Sequence, residues 1–389
     1  MIEPLQFFPT NWIDGMKIMK QHFVDSENAF RDELRDCQSI PLTSYNYGLI
    51  APLREEESLK CWFSTDNQCE WNLKVTNCRA VTAAGARIEI TQHTANKITN
   101  ASAFVEAKIN VETFKDDVLY LVLISTNPFD RQVAGIPLLE EIPPRYPFTQ
   151  STNTLSVLPS EQLPKLRTSG YDLIIGQIYL VDGFPRWNDN YIPPCATVNA
   201  HPKLLSLYER VNVFLSQTEL YLIAIMQKIH LKQGNELAEG IWEIANQLIQ
   251  YLNTKMGLFK FLISESPPVF MLDIVAGLAR TFKNAMDQRA NDGKTEILQH
   301  FWEWCGHTPA EIESITIQCA NLNYQHNNMN SSIVSTVSFL ELFSKLLERL
   351  WKLDVIGKKY DGNIFVKEES QADEEYLNKH KVKNRFFTD

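Results

Sequence analysis

The sequence predicts an α+β protein built from unlike parts. An antiparallel β-sandwich with a helix ahead of it is expected over residues 1–195, a helical bundle over 196–355, and a short C-terminal segment over 356–389. Three observations carry this. Apolar residues recur with period two up to about residue 200 and with a period near 3.6 beyond it. Turn residues separate the runs of the first part, and helix-start signals open those of the second. The chain has 389 residues, too many for one core when a domain takes roughly 100–200.

The elements follow in order. Met16, Met19, Phe23, Phe30 and Leu34 keep helical spacing between charged residues, which predicts one amphipathic helix near 17–36. Trp71, Leu73 and Val75 alternate with polar residues, and Val105, Ala107, Ile109 and Val111 do the same. That is the pattern of strands with one wet face. Val118–Ile124 and Leu173–Val181 are more continuously apolar, as strands buried on both faces would be. Ala84-Gly85, Asn127-Pro128, Ala134-Gly135 and Asp182-Gly183 are the expected turns.

From His201 the stripe Leu205, Tyr208, Leu215, Leu222, Ile225, Ile229 describes a helix reaching about Lys232, closed by Gly234-Asn235. Leu237, Ile241, Ile244 and Leu248 begin a second. Ser266-Pro267-Pro268 supplies a cap and a first-turn proline for a third, carrying Phe270, Ile274, Leu278 and Phe282. Thr308-Pro309-Ala310-Glu311 is a capping box. An Asn-rich loop (Asn321 to Asn330) precedes a last helix over Ser331–Leu353. Long helices joined by short loops make a bundle.

Composition narrows the function. With 44% apolar and 22% charged residues the chain can bury a core, which argues against disorder. Lys plus Arg number 37 against 47 Asp plus Glu, a net charge of −10 that offers no phosphate-binding footprint, so no nucleic-acid partner is expected. Cysteines 37, 61, 69, 78, 195, 305 and 319 form no C-x-x-C pair and no disulfide framework. The N-terminus lacks the pattern of a signal peptide, and no apolar run approaches the ~18 residues of a membrane span. A reduced, cytoplasmic protein that is not membrane-embedded is expected.

Chemical motifs are sparse. Asp292-Gly293-Lys294-Thr295 holds the GKT of a phosphate loop, but Gln288 stands where that loop needs glycine, and a helix–helix turn is the better reading. His300, Cys305 and His307 could ligate zinc, yet a structural site wants four ligands, and Phe301, Trp302 and Trp304 suggest packing. Cys61, Cys69 and Cys78 sit on predicted strands as small hydrophobes. The expectation is no catalytic residue, no metal and no cofactor.

Three segments resemble the TssK family, the trimeric baseplate adaptor of the type VI secretion system. Trp12, Gly15 and the Gln21-His22-Phe23 step match its opening signature, with Lys20 where the family commonly has proline. Tyr45-Asn46-Tyr47-Gly48-Leu49 resembles the aromatic–glycine segment leading into the first strands. Trp187 to Tyr191 and then Ile192-Pro193-Pro194-Cys195 resemble the junction between shoulder and helical neck. The resemblance covers residues 1 to about 355, and at the C-terminus the chain departs from the family, with room for only a reduced head.

The resemblance implies a non-enzymatic, trimeric adaptor. Its shoulder would meet baseplate wedge subunits of the TssF and TssG families, and its C-terminal end would face membrane-complex subunits at the inner face of the cytoplasmic membrane. A phage-like receptor-binding or tail-fibre adaptor outside the secretion system is the alternative.

The motif residues also have plain physical roles. Trp12 and Phe23 read as core anchors, His22 as a hydrogen-bonded packing residue, Gly15 and Gly48 as sites of positive φ, and Pro193-Pro194 as a stiff joint. An independent sign of association lies near residue 220. Leu220, Leu222, Ile223, Ile225 and Met226 occupy too many directions around one helix for a monomeric bundle to cover, which marks them as a candidate oligomer interface.

Overall fold

The computed structural model describes residues 4–53, 56–65, 71–97, 104–109, 114–115, 118–162, 170–231, 235–289, 293–356, 360–361 and 364–365. Val111, Lys232, Gly234, Asp292, Cys69, the Cys305 side chain and most of 356–389 therefore lie outside the described residues.

The expected helix forms as α1, Lys20–Ser39. Two antiparallel sheets follow. The first holds β1 (Gly48–Leu49), β2 (Leu59–Thr65), β3 (Trp71–Val81), β4 (Arg87–Ile90) and β5 (Val105–Ile109), with the short helix α2 (Gln92–Lys97) between β4 and β5. Central β3 pairs with β2 and β1 along one edge and with β5 and β4 along the other. Its buried apolar residues are Leu73 and Val75, then Cys78 and Ala80, and Asn77 between the two pairs is buried as well. The parity changes because the β2 register skips from Lys60↔Asn77 to Cys61↔Val75, which makes Thr76 an extra residue.

The second sheet has the order β7-β6-β8-β9, formed by β6 (Tyr120–Ala134), β7 (Phe148–Pro159), β8 (Asp172–Val181) and β9 (Phe184–Trp187). Tyr120–Ile124 are all buried, as a strand covered on both faces requires. Asn127-Pro128 corrects the sequence reading: it is a bulge inside β6 rather than a turn that ends a strand. Asn127 Oδ1 accepts from Phe129 N at 3.0 Å and Asp130 N at 3.2 Å, and pairing with β7 resumes at Arg131. Asp182 and Gly183, at φ 53° and 76°, make the two-residue hairpin between β8 and β9. The sheets meet through rings, Phe63 stacking on Trp187 at 4.7 Å and Trp71 meeting Phe184 edge-on at 6.2 Å.

Among the described residues six further α-helices follow: α3 (Pro202–Leu231), α4 (Glu236–Leu262), α5 (Pro268–Asp287), α6 (Gly293–Cys305), α7 (Pro309–Ala320) and α8 (Asn330–Lys352). Two short strands, β10 (Tyr360–Asp361) and β11 (Ile364–Phe365), pair beyond them. Thr308 caps α7 as expected, its Oγ1 accepting from Glu311 N at 3.3 Å while Glu311 accepts from Thr308 N at 2.8 Å. Ser266 does not cap α5; its hydroxyl turns back to donate to the Leu262 carbonyl at 2.7 Å.

Contacts divide the chain into two units. Unit 1 comprises Met1–Asn212, Gly257–Ile274 and Leu322–Val334, and it holds both sheets. Unit 2 comprises Val213–Met256, Val275–Asn321 and Ser335–Asp389. At the core of unit 2, Phe343 meets Phe282 at 5.0 Å, Phe339 at 5.2 Å and Phe214 at 6.2 Å.

Candidate functional site

The second and third motif segments meet in unit 1. Leu49 N donates to the Pro194 carbonyl at 2.8 Å, and Ala196 N donates to Leu49 O at 2.7 Å, a short parallel bridge between two distant stretches. Gly48, at φ 109°, lies so close that a Cβ there would overlap the Pro194 carbonyl. The two motifs are halves of one contact. Ile192, Pro193, Pro194 and Cys195 are buried in it, so the proline pair is packed into unit 1 rather than standing as an open joint.

A polar clasp completes this junction. Tyr47 OH donates to Asn327 Oδ1 at 2.9 Å, and Tyr191 OH donates to Asn327 O at 3.1 Å. His326 Nε2 bonds the Tyr47 carbonyl at 2.8 Å; a carbonyl only accepts, so the proton is on Nε2. Nδ1 then accepts from Tyr324 OH at 2.7 Å. Burial lowers the His326 pKa and raises those of Tyr47, Tyr191 and Tyr324, keeping the cluster neutral. Sequence reading missed Tyr324, His326 and Asn327, which lie in the Asn-rich loop. The aromatic–histidine spacing inside a polar run was the available signal.

The first motif segment behaves differently. Gly15 has φ 80° in the turn before α1, and His22 Nδ1 accepts from Met19 N at 3.3 Å, capping the helix. Gln21 donates to Asp25 at 2.7 Å. Trp12 and Phe23 are not core anchors. They touch at 6.0 Å but are 49% and 56% exposed. The face that α1 buries is Asn28, Ala29, Asp32 and Arg35 instead. Asp32 pairs with Arg35 at 2.7 Å and accepts from the backbone of Gln6 and of Phe7, so an ion pair holds the extended N-terminal strap to the helix.

In unit 2, Leu222 and Ile225 point into the bundle core at 2% and 0% exposure, while Leu220 and Ile223 face outward and Met226 is half-buried. A helix crowded with apolar residues thus divides them between its own bundle and its surface.

The chemical candidates have structural occupations. Gly293 opens α6, and Lys294 pairs with Asp287 and Glu313, each at 2.6 Å. His300 stacks on Trp304 at 5.2 Å and meets Glu303 at 3.3 Å. Among the described residues, no three His, Cys, Asp or Glu side chains cluster as metal ligands. Burial pushes the thiols of Cys61 and Cys319 up to about 12 and those of Cys78 and Cys195 higher, so all four are protonated and inert.

A cavity of about 350 Å³ is lined by Ser58, Lys60, Trp187, Asp189, His201 and Lys203, among others. Ser58 donates to the Ile50 carbonyl, and His201 accepts from Lys203 N, so these two are not paired as nucleophile and base. Burial and Lys203 push His201 down to about 4. A second cavity of about 260 Å³, lined by Glu89, Glu106, Gln132, Gln150 and Asn153, is polar.

No protein-family model and no curated protein matches the sequence. Solved structures do. A chain of the baseplate complex from the type VI secretion system superposes at TM-score 0.50 and 14% identity, covering 88% of this chain and 99% of that one. The fold is shared with a type VI secretion baseplate chain. A crystal structure of TssK aligns over 90% of this chain and 70% of that one, with 13% identity and a TM-score of 0.48. A chain of the TssK-TssF-TssG baseplate subcomplex aligns over 88% and 100%, at 14% identity and 0.46. Among the described residues, no helix is long and apolar enough to cross a membrane.

Proposed function

We propose that this chain is a TssK-type structural subunit of a type VI secretion baseplate and not an enzyme. The observation that carries the reading is the baseplate-chain fold, shared over 88% of this sequence, in a chain whose second and third motif segments meet as a packed junction instead of a reactive centre. On this reading residues 1–195 act as a shoulder that binds wedge subunits of the TssF and TssG kind, and residues 196–355 as a helical neck. The subunit works in the cytoplasm at the inner face of the membrane, with its C-terminal end toward the membrane complex.

The neck also supports a homotrimer. Leu220 and Ile223 expose 66% and 41% of their surface on α3, and copies around a three-fold axis would bury them. Light scattering should find three chains per particle, and Ile223→Asp should weaken the assembly by stranding a carboxylate in an apolar contact. Co-expression with TssF- and TssG-type subunits tests the wedge role. Failure of the intact trimer to co-purify with them would overturn it.

A further inference from the structure

The β6–β7 ribbon outruns its sheet. β8 pairs with β6 only over Tyr120–Ser125, whereas β6 and β7 stay paired from Arg131 to Ala134 against Phe148 to Ser151. Beyond them the chain closes on itself. Leu138 N donates to Arg145 O at 2.8 Å, Glu141 pairs with Arg145 at 2.7 Å, and Gly135 packs against Pro147. This arm is built, yet its apolar side chains point outward: Ile136 is 60% exposed, Leu139 78%, Ile142 98% and Phe148 56%. A two-stranded ribbon has no core of its own to hide them.

With Val133, Leu138 and Tyr146, these side chains offer on the order of 700 Å² of apolar surface, close to the ~800 Å² that one partner contributes to a stable interface. Exposed apolar patches larger than the few hundred Å² usual on a monomer mark interaction sites.

The same unit carries a second uncovered surface. On α1, Phe23, Phe30 and Leu34 form an outward stripe one and two turns apart, and exposed Cys37 continues it. Arm and helix are held in one fixed relation at the arm's base, where Arg131 bonds Glu27 and Asn28 and Phe7 meets Phe129 at 4.6 Å. Two different apolar surfaces on one rigid unit can cover each other only between copies, arm of one on helix of the next. Such head-to-tail contacts make a ring when the rotation between copies closes, as in a three-fold assembly.

We propose that the 133–148 arm packs on the α1 stripe of a second copy of this chain. The inference rests on the homo-oligomer reading and adds a contact between shoulders to one between necks.

The test uses the full chain. Leu139→Glu with Ile142→Glu should leave the circular dichroism unchanged, since both side chains are exposed, and should raise the self-dissociation constant at least tenfold by light scattering on dilution. Ile142→Cys should form an intermolecular disulfide with Cys37 under mild oxidation, lost in Cys37→Ser. A trimeric wild type whose arm variant associates with an unchanged constant, or whose Ile142→Cys gives no intermolecular link to Cys37, overturns the arm contact and leaves the trimer standing. An arm variant that keeps its assembly but no longer co-purifies with wedge subunits also overturns it, giving the arm to the wedge. A monomeric wild type overturns both readings.

Discussion

Replacing Gly48 with alanine should be among the most damaging single-methyl changes in unit 1, and Gly15→Ala is its control. Both glycines sit at positive φ, 109° and 80°, where an alanine costs about 1–2 kcal/mol of backbone strain. They differ in surroundings. Nothing lies within 4 Å of a Cβ built on Gly15, whereas one on Gly48 overlaps the Pro194 carbonyl and comes within 2.8 Å of Cys195 N. These neighbours are backbone atoms, so relief means opening the Leu49 N–Pro194 O and Ala196 N–Leu49 O bonds, at about 1 kcal/mol each. The expected loss is about 1–2 kcal/mol for Gly15→Ala and about 3–4 for Gly48→Ala, against a total near 5–15. Urea unfolding followed by tryptophan fluorescence measures both, Trp187 reporting from the same junction. Equal losses in the two variants would refute the close-approach argument and leave only the dihedral one.

Acid should loosen the junction before it touches the bundle. His201, pushed down to about 4, and His326, also lowered, stay neutral in the fold while an unfolded histidine takes a proton below about pH 6.5. Their contribution is therefore intact above that pH and declines as pH falls toward the folded values. Stability measured from pH 7 to 4.5 should show this slope, and His201→Asn with His326→Asn should flatten it; an unchanged slope would assign it to other groups. Thr308→Ala should cost about 1 kcal/mol by removing the cap on α7, measured by thermal unfolding, with no change in oligomeric state. Elemental analysis of purified protein should find no stoichiometric zinc, and a nucleotide titration no binding at the GKT turn, whose lysine is held by Asp287 and Glu313.

The architecture was legible wherever burial follows a simple period. β3, the start of β6, the first half of β8 and the helices α3, α4 and α5 bury most of the residues their periodicity marks, with Leu205 and Phe270 exposed at the start of α3 and α5, and the Asp182-Gly183 hairpin and Thr308 cap rest on local chemistry that the sequence states outright. β7 escaped because Thr149 to Thr154 is polar on both faces, so its pairing comes from the ladder with β6. The extra Thr76 and the Asn127 bulge escaped because one inserted residue shifts parity without altering composition. The candidate junction was half legible. Its glycine and prolines stood out, but their partnership spans nearly 150 residues and is sealed by a loop whose His326 looks unremarkable in isolation.

Helix α1 marks the limit of pattern reading and links the fold to its function. A hydrophobic stripe says that some face of a helix avoids water, but not whether the same chain or another covers it. The usual inference assigns the stripe to the chain's own core, and here that fails because α1 has a rival inward face. Asp32 and Arg35 are buried, their charges satisfied by each other and by the backbone of Gln6 and Phe7. A buried ion pair is a costly way to seat a helix when Phe23, Phe30 and Leu34 could have done so by apolar burial. The outward placement makes physical sense if those three side chains are covered elsewhere, as the proposed contact between copies would cover them. Replacing Phe30 with serine separates the alternatives. A side chain at 65% exposure contributes little to the isolated fold, so unfolding should change by less than about 0.5 kcal/mol while self-association weakens. A large loss of stability in dilute, dissociated protein would return the stripe to the chain's own core.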